Sequence, residues 1–197
     1  RFVADASHEL RTPLSVILTS AELALSKERS TEEYRLQLET CQRSANRMHQ
    51  LVESLLMLAR LDGKQPSDSP SLTDLAVLVN ENLEWLELLA SERHISFAAK
   101  LQPCFVLGHY ALLNQLITNL VVNAIQYNRD SGVVRIEVRP EAECILFIVE
   151  DHGMGIPEND IPHLFDRFYR VDQARSRNTG GNGLGLAICK RIVEIHH

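Results

Sequence analysis

Small and apolar residues recur at alternating intervals of three and four along the first third of the chain. Val3, Ala6, Leu10, Pro13, Ile17, Ser20 and Ala24 keep a 3-4-3-4-3-4 spacing; Cys41, Ala45, Met48, Val52, Leu55 and Ala59 keep a 4-3-4-3-4 spacing. Such heptad seams predict two helices, each burying one stripe. Between them, residues 26–31 are polar, and Ser30 or Thr31 can cap a new helix ahead of Glu32 and Glu33. Residues 1 to about 62 therefore predict an antiparallel helical hairpin. Two helices alone cover neither seam well. Two hairpins together make a four-helix bundle, so the pattern predicts a homodimer.

The periodicity then breaks. Residues 62–70 hold Gly63, Pro66, Ser67, Ser69 and Pro70, the composition of a linker. Beyond it, Leu75, Leu78, Val79, Leu83 and Leu86 lie on one face of a predicted helix over 75–92. Short strands are expected at 95–101 and 105–107, and a second helix over 109–127. Residues 133–138 alternate with period two, as in a half-buried strand, and 143–150 read as a buried strand. Residues 152–182 are long and polar, and loops of that length are usually functional. A last helix is expected over 184–195. The fold class is α+β: a helical hairpin (1–65), then an α/β domain (66–197) with the hinge at 63–71.

Composition narrows the partners. Of 197 residues, 45% are hydrophobic and 23% charged, with a net charge of −6. No basic stripe is present, so direct nucleic-acid binding is not expected. No apolar run approaches the ~18 residues of a membrane span. The four cysteines (Cys41, Cys104, Cys144, Cys189) form no C-x-x-C pair and lie in apolar sequence. That favours a reducing, cytosolic setting over disulfides or zinc.

Four further signals carry chemistry. Asn119 and Asn123 are four apart on one predicted helix, so both amides point the same way. Amide oxygens are hard ligands that suit Mg2+. Asp151 closes a predicted strand and precedes Gly153, Gly155 and Ile156. A carboxylate there can accept the exocyclic amine of adenine, a group that guanine replaces with an oxygen. Gly181, Gly183 and Gly185, interleaved with Leu184 and Leu186, precede the last helix. Backbone N–H groups at such a helix start form an anion site. Phe165, Phe168, Tyr169 and Arg170 lie in the long loop as its packing residues. At the other end of the chain, His8 falls off the heptad seam and should face solvent, with Glu9 beside it. Thr12 is one turn further on the same face, and Pro13, lacking an N–H, should bend the helix. Taken singly, each signal has a plainer reading: a surface histidine, a solvated helix face, a tight turn.

Together, the block from Ser7 to Leu14, the Asn119–Asn123 pair, the Asp151-x-Gly153-x-Gly155 turn and the Gly181–Leu186 segment resemble the catalytic core of a two-component sensor histidine kinase. The likeness runs over essentially the whole chain. It implies the ATP-binding α/β sandwich shared with type II topoisomerases, heat-shock chaperones and mismatch-repair ATPases. It assigns His8 as phosphoryl acceptor, Glu9 as its base or orienting group, and Thr12 to a water that dephosphorylates the partner. Arg11 is assigned to the incoming phosphate. Asn123 is implied as the Mg2+ ligand with Asn119 in support, and Gln126, Tyr127, Tyr169 and Arg170 join the ATP site. Many relatives carry lysine at the position of Gln126, which lacks that charge. The implied partners are ATP, a second copy of the chain and the receiver domain of a response regulator. The resemblance also implies a cytoplasmic location beneath a membrane-anchored sensor, and further strands after residue 197. No P-loop, dinucleotide-binding glycine motif or Ser/Thr/Tyr kinase set is present. The competing expectation is a catalytically silent dimeric scaffold that binds ATP only as a conformational ligand.

Overall fold

The computed structural model describes residues 2–63, 69–171 and 181–196. Part of the expected hinge, part of the long loop and His197 lie outside those residues. The hairpin consists of α1 (Phe2–Leu25) and α2 (Thr31–Asp62). A capping box starts α2: Ser30 Oγ accepts from the Glu33 N–H at 3.3 Å, and Glu33 Oε2 accepts from the Ser30 N–H at 2.9 Å. The Ser30 backbone N–H foremost, and then the Ser30 hydroxyl, which donates to Glu33 Oε2 at 3.1 Å, hold the Glu33 carboxyl below its ordinary 4.5.

The seam on α1 matches the expected one at Leu10, Pro13, Ile17 and Ser20, but Val3 is 75% exposed. The seam on α2 needs more correction. Ala45, Val52 and Ala59 are exposed, whereas Leu51, Leu58 and Leu61 are buried. These leucines face the second half of the chain, which the heptad count did not include.

The α/β half runs β1 (Ser71–Asp74), α3 (Leu75–Ser91), β2 (Ser96–Leu101), β3 (Phe105–Gly108), α4 (Tyr110–Tyr127), β4 (Val133–Glu141), β5 (Cys144–Glu150), a 3-10 turn (Ile161–His163) and α5 (Gly185–Ile195). Strand β1, which begins at the end of the expected hinge and is not expected from the sequence, pairs antiparallel with β3, Leu72 opposite Leu107. A second sheet has the order β2-β4-β5, with β2 parallel and β5 antiparallel to β4. Helices α3 and α4 cover one face of it, and Leu78, Val79, Ile117, Val121, Val134 and Ile136 form the centre of that core. Strand β5 is half-buried rather than buried: Ile145, Phe147 and Val149 meet the core, while Ile148 points away from it. It lies at the sheet edge and only one of its faces is covered. Cys144, at its start, is exposed, contrary to the apolar setting expected of every cysteine. Cys189 is buried, and desolvation pushes its thiol up to about 12.

Glu33 supplies a pH test of the hairpin. Its folded pKa is depressed, so its contribution to stability is complete above the unfolded value and is lost as pH falls through the folded one. Glu33→Gln should therefore lower the melting temperature near pH 7. The two chains should converge as the medium is acidified below the ordinary carboxylate value of 4.5, which thermal melts across that range will show.

Candidate active site

Helix α4 carries the site because it has two apolar faces. Leu113, Ile117, Val121 and Ile125 enter the sheet core, while Leu112, Leu116 and Leu120 enter a second cluster with α5. Along the edge of the α5-facing leucines runs a polar strip at four-residue spacing: Gln115, Asn119, Asn123. Gln115 Nε2 donates to Asn119 Oδ1 at 2.8 Å, and Asn119 Nδ2 donates to the Gly185 carbonyl at 3.4 Å. Asn119 thus ties α4 to the first residue of α5. Asn123, one turn on, is half-buried and makes no side-chain hydrogen bond among the described residues. Its amide oxygen is uncommitted, as a metal ligand requires.

The opposite side of α4 is fastened to α3 by a buried polar network that the sequence reading missed. Asn82 Nδ2 donates to Asn114 Oδ1 at 2.8 Å, and Thr118 Oγ1 donates to Asn82 Oδ1 at 2.8 Å. An asparagine inside the apolar face of α3 was the available signal.

The turn after β5 sits directly on the end of α4. A Cβ on Gly153 would overlap the Tyr127 carbonyl oxygen, so only glycine lets the two backbones approach this closely. Asp151 Oδ1 accepts from the Gly153 N–H at 2.8 Å, and the residue is exposed. Asn128, 4% exposed, joins the pieces. Its Oδ1 accepts from the N–H of His152 at 3.3 Å and of Arg129 at 3.0 Å, and its Nδ2 donates to the Val133 carbonyl at 3.2 Å. Gly155 has open space around it but a φ of +72°. Ile156 is exposed beside it.

The third wall is the segment entering α5. Gly183 has φ +69°, and its carbonyl accepts from the Phe168 N–H at 2.8 Å. Leu184 is fully buried, and its N–H is taken by Asn182 Oδ1 at 3.1 Å. Leu186 is half-buried, and Gly181 lies beside the Tyr127 hydroxyl. In the long loop, the Tyr169 hydroxyl donates to Asp160 Oδ1 at 2.5 Å. That bond, with burial and the Asp160 charge, raises the Tyr169 pKa. Arg170 follows, half-buried. The structure therefore gathers Asn119, Asn123, Gln126, Tyr127, Asp151, Gly153 and residues 181–185 around one half of α4.

His8, Glu9 and Thr12 lie on α1, whose Leu10 packs against the α4–α5 cluster. His8 and Thr12 are exposed and Glu9 half-exposed. Thr12 Oγ1 donates to the His8 carbonyl at 3.3 Å, one turn back. Helix α1 runs on through Pro13 as one element.

Comparisons with known proteins follow the same division. Residues 1–64 match the His Kinase A (phospho-acceptor) domain. Residues 108–197 match the histidine kinase-, DNA gyrase B- and HSP90-like ATPases. The chain belongs to the two-component sensor histidine kinases. The sensor histidine kinase RppB of Synechocystis is 37% identical over all of this chain, which covers 44% of RppB. The histidine kinase AdeS of Acinetobacter baumannii has the same fold, with a TM-score of 0.73 over 95% of this chain and 86% of that one, at 23% identity. The full-length ShkA structure, solved with AMPPNP, is 26% identical with a TM-score of 0.66, covering 98% of this chain and 40% of that one. The chain thus spans less than half the length of curated relatives such as RppB.

In this kinase core, the ATPase-like half is docked on α2. Leu51, Leu58 and Leu61 pack with Leu116, Leu184 and Ile188. Arg167 Nη2 donates to both Asp62 oxygens at 2.9 and 2.8 Å, and the Phe2 and Phe168 rings lie 5.9 Å apart. Asn182 Nδ2 donates to Ser54 Oγ at 3.0 Å. The segments flanking the glycines are therefore held by the hairpin.

Two glycine substitutions should separate close approach from backbone conformation. Gly153→Ala must lift the turn off α4, and misplacement of that size should weaken ATP binding by about 100-fold or more. Gly155→Ala meets no atom and suffers only the left-handed backbone penalty of about 1–2 kcal/mol, so it should be the milder change. Titration with a fluorescent ATP analogue measures both.

Proposed function

We propose that this core transfers the γ-phosphoryl group of Mg·ATP to a ring nitrogen of His8 and then to an aspartate of a response regulator. The observation carrying this reading is that a solvent-facing imidazole, with a carboxylate beside it, shares a chain with the site around α4. In the first step a P–N bond forms at His8 and the bond from the γ-phosphorus to the bridging oxygen breaks. ADP leaves with that electron pair. Glu9 orients the ring and takes its proton. A bound Mg2+, held through the Asn123 amide oxygen, would neutralise charge on the phosphate oxygens. Asn119 supports it, and the backbone of residues 181–185 faces the phosphates at the start of α5. The second oxygen of Asp151 accepts the adenine amine, with Ile156 and Tyr127 beside the base. Gln126, Tyr169 and Arg170 complete the surround. The relative ShkA was solved in complex with AMPPNP, an ATP analogue, which supports the assignment. Most of the catalytic effect comes from positioning and charge stabilisation.

His8 is exposed on α1 and the nucleotide residues belong to α4 and the loops around it; in this reading the two halves, divided near residues 65 and 66, move against each other about the linker to bring them together. The grip of Asp62 on Arg167 must give way in that movement. Dimerisation through the hairpin is part of the proposal. Leu18 and Leu38, 54% and 69% exposed in one chain, supply apolar surface for a four-helix bundle. Among the described residues no helix is long and apolar enough to cross a membrane. A cytoplasmic core joined to a membrane-anchored sensor elsewhere in the parent protein fits that finding.

Incubation with Mg2+ and γ-labelled ATP tests the reading. Label should enter the chain, be lost in acid, survive alkali and vanish in His8→Gln. Label that persists in His8→Gln, or none at all with ATP bound, would refute it, the second outcome favouring the silent scaffold. Thr12→Ala should leave labelling within about twofold, because general acid–base loss is felt only where a proton or water is handled. It should slow dephosphorylation of the regulator roughly 100-fold, measured as release of phosphate from the phosphorylated receiver domain.

A further inference from the structure

Helix α4 ends without a glycine cap. Its last residue, Tyr127, is followed by Asn128 in extended conformation, φ −67° and ψ 161°. The final carbonyls of such a helix need donors from elsewhere. They find them in Arg93, in the turn between α3 and β2. Arg93 Nη1 donates to the carbonyls of Ile125 and Gln126 at 2.5 and 2.8 Å, and Nη2 to that of Asn128 at 2.8 Å. The same guanidinium meets Asp130 Oδ1 at 2.8 and 3.1 Å. The Arg93 backbone is fixed in turn, its carbonyl accepting from the Ser131 N–H at 3.1 Å.

We infer that Arg93 is a positioning residue for the nucleotide site, setting the Asp151 turn against Asn123 by clamping the end of α4 from behind. The front of the same helix end bears the Gly153 turn on the Tyr127 carbonyl, and Asn128 links it to His152. Arg93 and the turn that carries Asp151 therefore rest on consecutive carbonyls of the same helix end. A planar fork of donors spans three carbonyls at once, which a lysine ammonium cannot reproduce. Asp130 is 77% exposed at its side chain, so its ion pair with Arg93 contributes little. The carbonyl bonds carry the effect. The inference rests on the proposed adenine-recognising role of Asp151.

The test is competition of ATP and of GTP, each with Mg2+, against a fluorescent ATP analogue, on the intact chain and on Arg93→Lys, Arg93→Ala and Asp130→Asn. Arg93→Lys keeps the charge and carries the test if Arg93→Ala does not fold. ATP affinity should fall roughly tenfold in the arginine variants, with GTP affinity changed less than about twofold, so the ATP preference narrows. Asp130→Asn should stay within about twofold of the unsubstituted chain. A merely structural loss would lower the melting temperature and leave the ATP-to-GTP ratio of the folded protein unchanged, which would overturn the inference. Asp130→Asn matching Arg93→Lys would overturn it too. An unsubstituted chain that does not prefer ATP overturns the Asp151 reading and this inference together, whereas a preference kept in every arginine variant overturns this inference alone.

Discussion

The structure depends on one helix that must bury two faces at once. Burial of apolar side chains is the main favourable term in folding, and α4 satisfies it twice, against the sheet and against α5. Helical geometry then leaves little freedom for the remaining positions. With Ile117 and Val121 committed to the sheet and Leu112 and Leu116 to α5, Asn119 and Asn123, seven residues on from those two leucines, come out on the side of α4 that meets α5. The site residues are placed by packing that has no chemistry of its own.

The constraint extends to both ends of α4. Its start is capped by a residue at the far end of the described chain: the His109 N–H donates to His196 Nε2 at 2.9 Å, and His196 Nδ1 lies 2.8 Å from the Ile192 carbonyl. That pair of bonds makes Nε2 the acceptor and Nδ1 the donor. The last turn of α5 is thereby locked against α4. At the other end, Arg93 and Asn128 take the carbonyls and the loop. Such bonds matter because unpaired buried backbone groups are costly. They also hold the α3–β2 turn, the turn after α4 and the turn after β5 at one helix end.

Helix α2 serves two surfaces. One side lies along α1; the other, through Leu51, Leu58 and Leu61, receives α4 and α5. That interface is mainly apolar, reinforced by polar contacts of Arg167, Asn182 and Arg191. The long-loop residue Arg167 makes one of those contacts, with Asp62, and the neighbouring Phe168 packs on Phe2 of α1. Phe168 is held at φ +64° with its N–H on Gly183, a conformation uncommon for a bulky residue. Docking on the hairpin and the shape of the glycine segment are therefore mechanically linked.

Local periodicity determined the helices, the hairpin and most strands, because spacings of 3.6 and 2 are written in neighbouring residues. The same local chemistry determined the Ser30 cap, the solvent-facing His8 and the asparagine pair on one face of α4. Tertiary structure alone decided what depends on distant partners. Strand β1 is four residues long and polar, and exists only because β3 pairs with it. The burial of Leu51, Leu58 and Leu61 instead of Ala45, Val52 and Ala59 follows from a neighbour that no heptad count includes. Arg93, Asn82 and Asn128 gained their roles from carbonyls and amides brought together by folding. A hydrogen-bond partner dozens of residues away leaves no trace in local spacing, and there the sequence stopped informing and the packing took over.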